Sequence, residues 1–234
     1  MKPIDLETQR AKREAMKPGV ALASLPRAEI IRLLQGYFGQ LRESADNVPI
    51  AEVARVAEEM LRARAAGKTV YVLGNGGSAS TASHAATDWR KPSHDGDSGG
   101  LNVVSLVDNV ALLTAWANDT SFDNVFAAQL ESLLKPGDVV IAVSGSGNSP
   151  NVLRAVEAAR RRGGVTIGFA GFDGGALAQL VDICVVVPCD HQGMIEDVHM
   201  VMVHALTVAL RQAVALPAEG DETAAEAVAR GRVI

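Results

Sequence analysis

The stretch VVIAVSGSGNSPNVLRAVEAARRRG, residues 139–163, contains a strand pattern, a loop rich in glycine and serine, and a helix pattern in direct succession. Its first five residues are apolar and Ser144 follows them, which is typical of a strand buried on both faces of a sheet. Ser149 suits the N-cap of the following helix and Pro150 its first position. Three arginines and Gly163 suit the helix end, where the dipole favours positive charge. A buried strand that leads into a helix predicts the parallel sheet of an α/β protein.

The same alternation of strand and helix patterns continues along the chain. Short apolar runs predict five strands, at 70–74, 101–107, 139–144, 165–172 and 183–188. Apolar residues at helical spacing predict helices at 26–45, 50–66, 79–90, 109–117, 122–134, 150–162 and 175–180, and a long closing helix at 193–215. We therefore predict an α/β domain at 26–215, with helices on both faces of the sheet, a polar leader at 1–25 and a polar tail at 216–234.

Composition and charge narrow the classes of function. The 234 residues are 48% hydrophobic and 21% charged, which is enough for one sizeable core. A net charge of −5 without a block of Lys or Arg argues against nucleic acid as a partner. We find no signal-peptide pattern and no run of about 18 apolar residues, and so expect no membrane span. Cys184 and Cys189 predict one free thiol buried in a strand and another just beyond it, which fits the reducing cytoplasm.

Two loops follow predicted strands, where ligands bind in sheets of this kind. In GNGGS, residues 74–78, glycines allow close approach of the backbone, and Ser78 is predicted to cap the next helix; a tight connection without function is the alternative. In SGSGNS, residues 144–149, three hydroxyls at a helix N-terminus suit the terminal oxygens of a phosphomonoester. Neither loop has a P-loop or dinucleotide-binding pattern. Together they predict one phosphorylated ligand and no nucleotide cofactor.

Two further clusters carry groups for proton transfer or metal binding. His84 and Asp88 lie four residues apart, on one face of a predicted helix. The stretch HQGMIEDVHMVMVH, residues 191–204, adds Glu196, His199 and His204 at the start of the closing helix.

Four of these residues would make an N₂O₂ site for Zn²⁺ or another borderline divalent ion: His84, Asp88, Glu196 and His204. Glu196 and His204 are about 12 Å apart along the helix axis. Both therefore reach one ion only if it lies midway or if a second subunit supplies one of them. A surface ion pair and a core histidine are the alternatives, and His199, which points away from His204, is predicted to be structural or interfacial.

These motifs occur together and in this order in a known family. GNGGSASTASH at 74–84, SGSGNSPNVLRAVEAA at 144–159 and IEDVHMVMVH at 195–204 resemble the sugar isomerase (SIS) domain proteins, specifically the bacterial phosphoheptose isomerases. The resemblance covers about residues 26–213. It implies a single SIS domain with a five-stranded parallel sheet flanked by helices, assembled as a homotetramer with sites at subunit interfaces. It also implies that the chain converts sedoheptulose 7-phosphate to a heptose 7-phosphate.

The resemblance also implies roles for individual residues. Asp88 and His204 would be the acid/base pair. They would lie on opposite sides of C1 and C2, between which a proton moves by way of an enediol(ate) intermediate. The zinc ligands would be His84, Asp88, Glu196 and His204, and the metal would stabilise the developing oxyanion. Contacts to substrate and phosphate would fall on Asn75, Gly76, Gly77, Asn118, Asp119, Ser144, Gly145, Ser146, Ser149 and Glu196, to which the capping argument adds Ser78.

Three positions depart from the family pattern. The family has Glu in place of Asp88, Gln in place of Glu196 and commonly Thr in place of Gly145. The shorter carboxylate and the added charge suggest a branch with a different phosphosugar or a stronger metal requirement. The alternatives are a non-catalytic tetrameric adaptor, as in the SIS branch that associates with the replication initiator, and a phosphosugar-binding regulatory module. Retention of both histidines and both carboxylates favours an enzyme.

Overall fold

The computed structural model describes residues 25–91 and 101–215. The predicted tail and all but the last residue of the predicted leader therefore lie outside the described residues. The chain forms two compact units, Met1–Gln40 and Leu41–Ile234. Helix α1 (Arg27–Asp46) supplies the described helix of the first unit. Exposed large apolar side chains of that unit are Leu25, Ile30, Ile31, Leu33, Leu34 and Phe38.

Five parallel strands of the second unit form one sheet in the order β2–β1–β3–β4–β5. They are β1 (Thr69–Gly74), β2 (Asn102–Ser105), β3 (Val139–Ser144), β4 (Val165–Ala170) and β5 (Ile183–Val186). The central pair, β1 and β3, runs in register from Val70 opposite Val139 to Gly74 opposite Val143. The predicted α/β fold is confirmed, although β2, β4 and β5 are shorter than predicted because their apolar runs continue past the paired residues into turns.

Helices cover both faces of this sheet. After α1 they are α2 (Ile50–Ala65), α3 (Gly77–Arg90), α4 (Val110–Asp119), α5 (Ala127–Leu133), α6 (Pro150–Arg161), α7 (Gly175–Leu180) and α8 (Gln192–Ala215). The single helix predicted at 122–134 is a 3₁₀ turn, Phe122–Asn124, followed by α5. Each of the other predicted helices is present with ends shifted by a few residues.

The strands divide their side chains between two hydrophobic cores. Val70 and Val72 of β1 point into a core shared with α2, α3 and α8. Tyr71 and Leu73 point into the opposite core, with α5, α6 and α7. Burial on both faces explains why the strands are almost continuously apolar in sequence. It also places α3 and α8 side by side on one face of the sheet.

Helix α8 is long and apolar enough to match a membrane span by length and composition. Its residues 192–213 include an 18-residue window with a mean hydropathy of 1.3, and half of that window is buried inside the structure. Its apolar side chains, among them Ile195, Val198 and Leu206, belong to the core beside α2 and α3. We therefore interpret α8 as a core helix, which passes the same test.

Both cysteines are free thiols, as predicted, but neither is fully buried. Cys184 lies in β5, the last strand of the sheet, where one edge has no neighbouring strand. Burial, and secondarily the charge of Glu52, raise the pKa of the Cys184 thiol to about 11. The raised pKa favours the protonated thiol at neutral pH, which is a weaker nucleophile than the thiolate.

Candidate active site

The two glycine-rich loops meet at the point where the order of the strands reverses. β1 is followed in sequence by its neighbour on one side, β2, and β3 continues the sheet on the other side. Ligands in such sheets bind in the crevice beyond the carboxyl ends of these strands. Asn75, after β1, and Asn151, in the first turn of α6, exchange two amide hydrogen bonds of 2.8 and 2.9 Å. This reciprocal pair holds the two loops at one crevice.

The crevice contains a small, mostly polar pocket of about 150 Å³. It is lined by Asn75, Ser78, Val143, Ser144, Gly145, Ser146, Ser149 and Gln192. All four serines of the two loops thus face one space, together with an amide from each side. The structure brings together the residues from which the sequence predicted a phosphate site, and Gln192 joins them from the start of α8.

The serines do not act as helix caps in the way the sequence suggested. The cap predicted at Ser78 is wrong, because α3 begins at Gly77 with Gly76 (φ 54°) as its N-cap, which places Ser78 inside the first turn. Ser149 does occupy the N-cap of α6, with Pro150 next, yet its side chain makes no capping hydrogen bond. Its Oγ lies 3.5 Å from Ser144 Oγ instead. Both hydroxyls are therefore placed for the pocket.

Glu196 is a residue of α8, and its carboxylate lies beside Gly77 at the N-terminal end of α3. Its carboxylate accepts a hydrogen bond of 2.8 Å from Gln192 Nε2. A Cβ atom built on Gly77 would overlap this carboxylate, so Gly77 provides the room in which Glu196 sits. The N-terminal end of a helix dipole favours a negative charge at this position.

His84, Asp88 and His204 form a compact group between α3 and α8. Nε2 of His84 lies 3.0 Å from Nε2 of His204 and 3.2 Å from Oδ2 of Asp88. The third separation, from His204 Nε2 to Asp88 Oδ2, is 3.9 Å. In the single chain the side chains are 43%, 26% and 55% exposed for His84, Asp88 and His204. The two ring nitrogens are close enough to share either one proton or one metal ion.

This geometry fits a zinc ion with three protein ligands. One potential ligand atom from each residue lies within 4.8 Å of the others. In a tetrahedral site with bonds of about 2.0–2.1 Å, ligand atoms are about 3.3 Å apart, close to the three separations here. Glu196, the fourth predicted ligand, is not part of this group, because its carboxylate is held beside Gly77 and Gln192. Three ligands with an open fourth position are typical of catalytic zinc.

His199 lies apart from this group and is fully buried, in agreement with its predicted structural role. Its Nε2 donates a hydrogen bond of 3.1 Å to the carbonyl oxygen of Ala170, at the end of β4. Burial lowers the pKa of His199 to about 4, against a smaller opposing effect of that hydrogen bond. The ring is therefore neutral at physiological pH and ties α8 to the sheet.

Five predicted substrate contacts do not line the serine pocket: Gly76, Gly77, Asn118, Asp119 and Glu196. Asn118 and Asp119 lie at the end of α4, both are exposed, and Asn118 Nδ2 donates to Asp119 Oδ1 at 2.9 Å. Neither residue lines the serine pocket. Their predicted contact with substrate stays a prediction.

Fold and site together define a class: an α/β protein with a serine-lined pocket at the switch point of a parallel sheet. The family described as "SIS domain" matches residues 36–171. The phosphoheptose isomerase of Geotalea daltonii is 39% identical over 155 residues, which are 66% of this chain and 80% of that protein. The chain belongs to the SIS domain family and is similar, within it, to the phosphoheptose isomerases.

Solved structures agree with this assignment. A phosphoheptose isomerase from Neisseria gonorrhoeae matches with a TM-score of 0.73 and 30% identity, over 78% of this chain and 99% of that one. One from Francisella tularensis matches with a TM-score of 0.73 and 29% identity, over 80% of this chain and all of that one, 100%. The single SIS domain fold predicted from the motifs is confirmed.

Proposed function

We propose that the chain is an aldose–ketose isomerase that converts sedoheptulose 7-phosphate to a heptose 7-phosphate. The serine pocket and the His/Asp group both draw residues from α3 and α8, and this shared placement carries the proposal. Ser78 and His84 are six residues apart on α3, about 9 Å along its axis. An extended seven-carbon sugar phosphate likewise has its phosphate at one end and its reacting C1 and C2 at the other. The names of the relatives support the same substrate.

In the proposed reaction, Asp88 and His204 move protons at the reacting carbons and oxygens. A base removes a proton from C1 of the ketose, which leaves an enediol(ate), and a proton is then delivered to C2. The C1 hydroxyl loses its proton and the C2 oxygen gains one, so the product is an isomer of the substrate. A carboxylate and an imidazole are side chains suited to these transfers.

The distance between Asp88 and His204 limits the faces of the substrate from which they can transfer protons. Groups on opposite sides of the C1–C2 bond would each need about 3 Å to the atom they serve. Asp88 Oδ2 and His204 Nε2 are only 3.9 Å apart, too close to hold carbon atoms between them. Within one chain the spacing therefore supports transfer on a single face, rather than the two-sided arrangement expected from the resemblance.

We also propose that His84, Asp88 and His204 hold Zn²⁺; with Nε2 of His204 bound to the ion, that nitrogen could not take up a proton, and the proton transfer would fall to Asp88. When bound, the metal would act as a Lewis acid toward the substrate oxygens. The protein's own side chains would orient the sugar. The serine pocket would bind its phosphate, and the group of His84, Asp88 and His204 would lie near C1 and C2 at the opposite end of the sugar.

The exposed face of α8 supports the proposed homotetramer with sites at subunit interfaces. Val201 and Val208 are 52% and 53% exposed and flank His204 on the helix. Large apolar side chains beside a catalytic group are expected to be covered by another subunit. Sedimentation equilibrium measures the assembly directly, and a monomer at all concentrations would contradict the proposed homotetramer.

The free thiols are consistent with the proposed cytoplasmic location.

Isotope incorporation tests the reaction. Incubated with sedoheptulose 7-phosphate in deuterated water, with and without added Zn²⁺, the protein should yield an aldose carrying deuterium at C2. Sedoheptulose without its phosphate is the matched control and should react much more slowly, since it cannot occupy the serine pocket. Absence of an aldose product from both incubations would reject the proposed substrate. It would leave the non-catalytic adaptor and the regulatory module as the alternatives.

Metal titration tests the ligand group. We expect metal-free protein to bind about one Zn²⁺ per chain, and His84→Ala to weaken binding by about 100-fold or more, because it removes one of three ligands. Glu196→Gln should change the affinity by less than about threefold, since only a nearby charge is lost. His191→Ala, an exposed histidine outside the group, is the control. Zinc bound equally well by His84→Ala and His191→Ala would contradict the assignment.

A further inference from the structure

Gln192 reaches from the start of α8 to the mouth of the serine pocket. It is the first residue of α8, is exposed, and lines the pocket together with Ser144, Ser146 and Ser149. Its carboxamide lies between Gly145 and Glu196. The polar side chain of Gln192 thus lies at the pocket next to Gly145, the position at which the loop 144–149 has no hydroxyl.

The contact with Glu196 decides which way the Gln192 amide faces. An ionised carboxylate only accepts hydrogen bonds, so it is the NH₂ group of Gln192 that points to Glu196, at 2.8 Å. The same nitrogen carries a second N–H, which this contact does not use. Glu196 therefore holds the amide with a donor available at the pocket.

Gly145 gives the amide the room it occupies. A Cβ atom built on Gly145 would overlap the carboxamide of Gln192. The backbone does not itself require glycine, because Gly145 is outside the positive-φ positions, unlike its neighbour Gly147 with φ 64°. A side chain at residue 145 would therefore displace the amide of Gln192, the far end of a flexible side chain, from its present position.

We propose that Gln192 donates a hydrogen bond to the phosphate of the ligand, in the place that a hydroxyl at residue 145 would take. Glu196 is then a positioning residue that orients the amide. The identity of the ligand as a sugar phosphate rests on the proposed function, whereas the contact to a phosphate group does not.

Titration with inorganic phosphate tests the proposal on the full chain. We expect Gln192→Met to weaken phosphate binding by about tenfold, because methionine fills similar space without a donor to the charged group. Gly145→Ala should weaken binding comparably, since its Cβ displaces the amide and supplies no hydroxyl. In the double variant Gln192→Ala, Gly145→Ser, the serine hydroxyl takes the vacated place, and affinity should return to within about threefold of the wild type. The KM for the sugar phosphate should follow the same order, with kcat changed less than about threefold.

Three results would overturn the proposal. Wild-type phosphate affinity in Gln192→Met would mean that the side chain only fills space. A loss in the double variant as large as that in Gln192→Met would mean that a hydroxyl at residue 145 does not take the place of the amide. Wild-type affinity in Gly145→Ala would mean that the amide is not displaced. Thermal unfolding of each variant identifies a misfolded protein, and the double variant then still reports on the exchange. Phosphate titration needs no turnover, so absence of isomerisation rejects the proposed function alone.

Discussion

Asp88→Asn and His204→Ala should each lower kcat for isomerisation by about a thousandfold, the scale of losing one acid/base group. Neither asparagine nor alanine can take up and return a proton at the substrate carbons. The two losses should not add in the double variant, because both groups serve one transfer. Deuterium exchange at C2 measures the step directly, free of product release. A double variant with wild-type exchange would exclude these residues from proton transfer.

Both residues are also proposed zinc ligands, so the same variants must be titrated with Zn²⁺. Saturating metal restores a variant that only binds the ion weakly, whereas it leaves a variant without its base inactive. Asp123→Asn is a matched control for Asp88→Asn. Asp123 pairs with Arg154 at 3.5 Å on the surface, and its loss should leave exchange unchanged.

Gly147→Ala should lower the free energy of unfolding by about 3 kcal/mol and abolish phosphate binding. Gly147 has φ 64°, in the left-handed region, and its carbonyl oxygen accepts a hydrogen bond of 2.9 Å from the Leu177 amide. A Cβ atom there would overlap the carbonyl oxygen of Gly174, which is backbone and cannot rotate aside. The serine loop must then separate from the start of α7. Urea unfolding and phosphate titration measure the two effects.

Gly67→Ala separates the cost of the backbone conformation from the cost of the overlap. Gly67 has a similar φ of 62°, but no atom lies within 4 Å of a Cβ built on it. We expect a loss of only about 1 kcal/mol there, with phosphate binding retained. Equal losses in the two variants would show that contact with Gly174 is unimportant for the loop.

The fold was predictable because strand burial and helix ends are local signals. The continuous apolar runs of β1 and β3 follow from burial on two faces, and Ser149 and Pro150 mark the first turn of α6 by their own chemistry. The serines of the pocket were predictable for the same reason, since each loop follows a strand. The resemblance to a known family added the pairing of α3 with α8.

Features that depend on contacts between distant segments were not predictable from pattern. Ser78 was expected to cap α3, but the helix starts two residues earlier, with Gly76 as its N-cap. Glu196 was expected to be a ligand in the metal group. Its carboxylate instead occupies the space beside Gly77, which has no side chain. Asn151 and Gln192 have no local signature as site residues, although Gln192 stands four residues before Glu196, a spacing at which helix side chains meet.

The indole of Trp89 lies in the core between the sheet and the helices α3 and α8, which carry His84, Asp88 and His204. It is buried, and its Nε1–H donates to the carbonyl oxygen of Val203 at 3.2 Å. Trp89 follows Asp88 in the chain and Val203 precedes His204, so one bond from the core joins the immediate neighbours of two site residues. Folding itself thus bears the entropic cost of arranging the group, and little reorganisation is left for the moment when ion or sugar arrives. The proposed site is therefore held in place by bonds of the protein core.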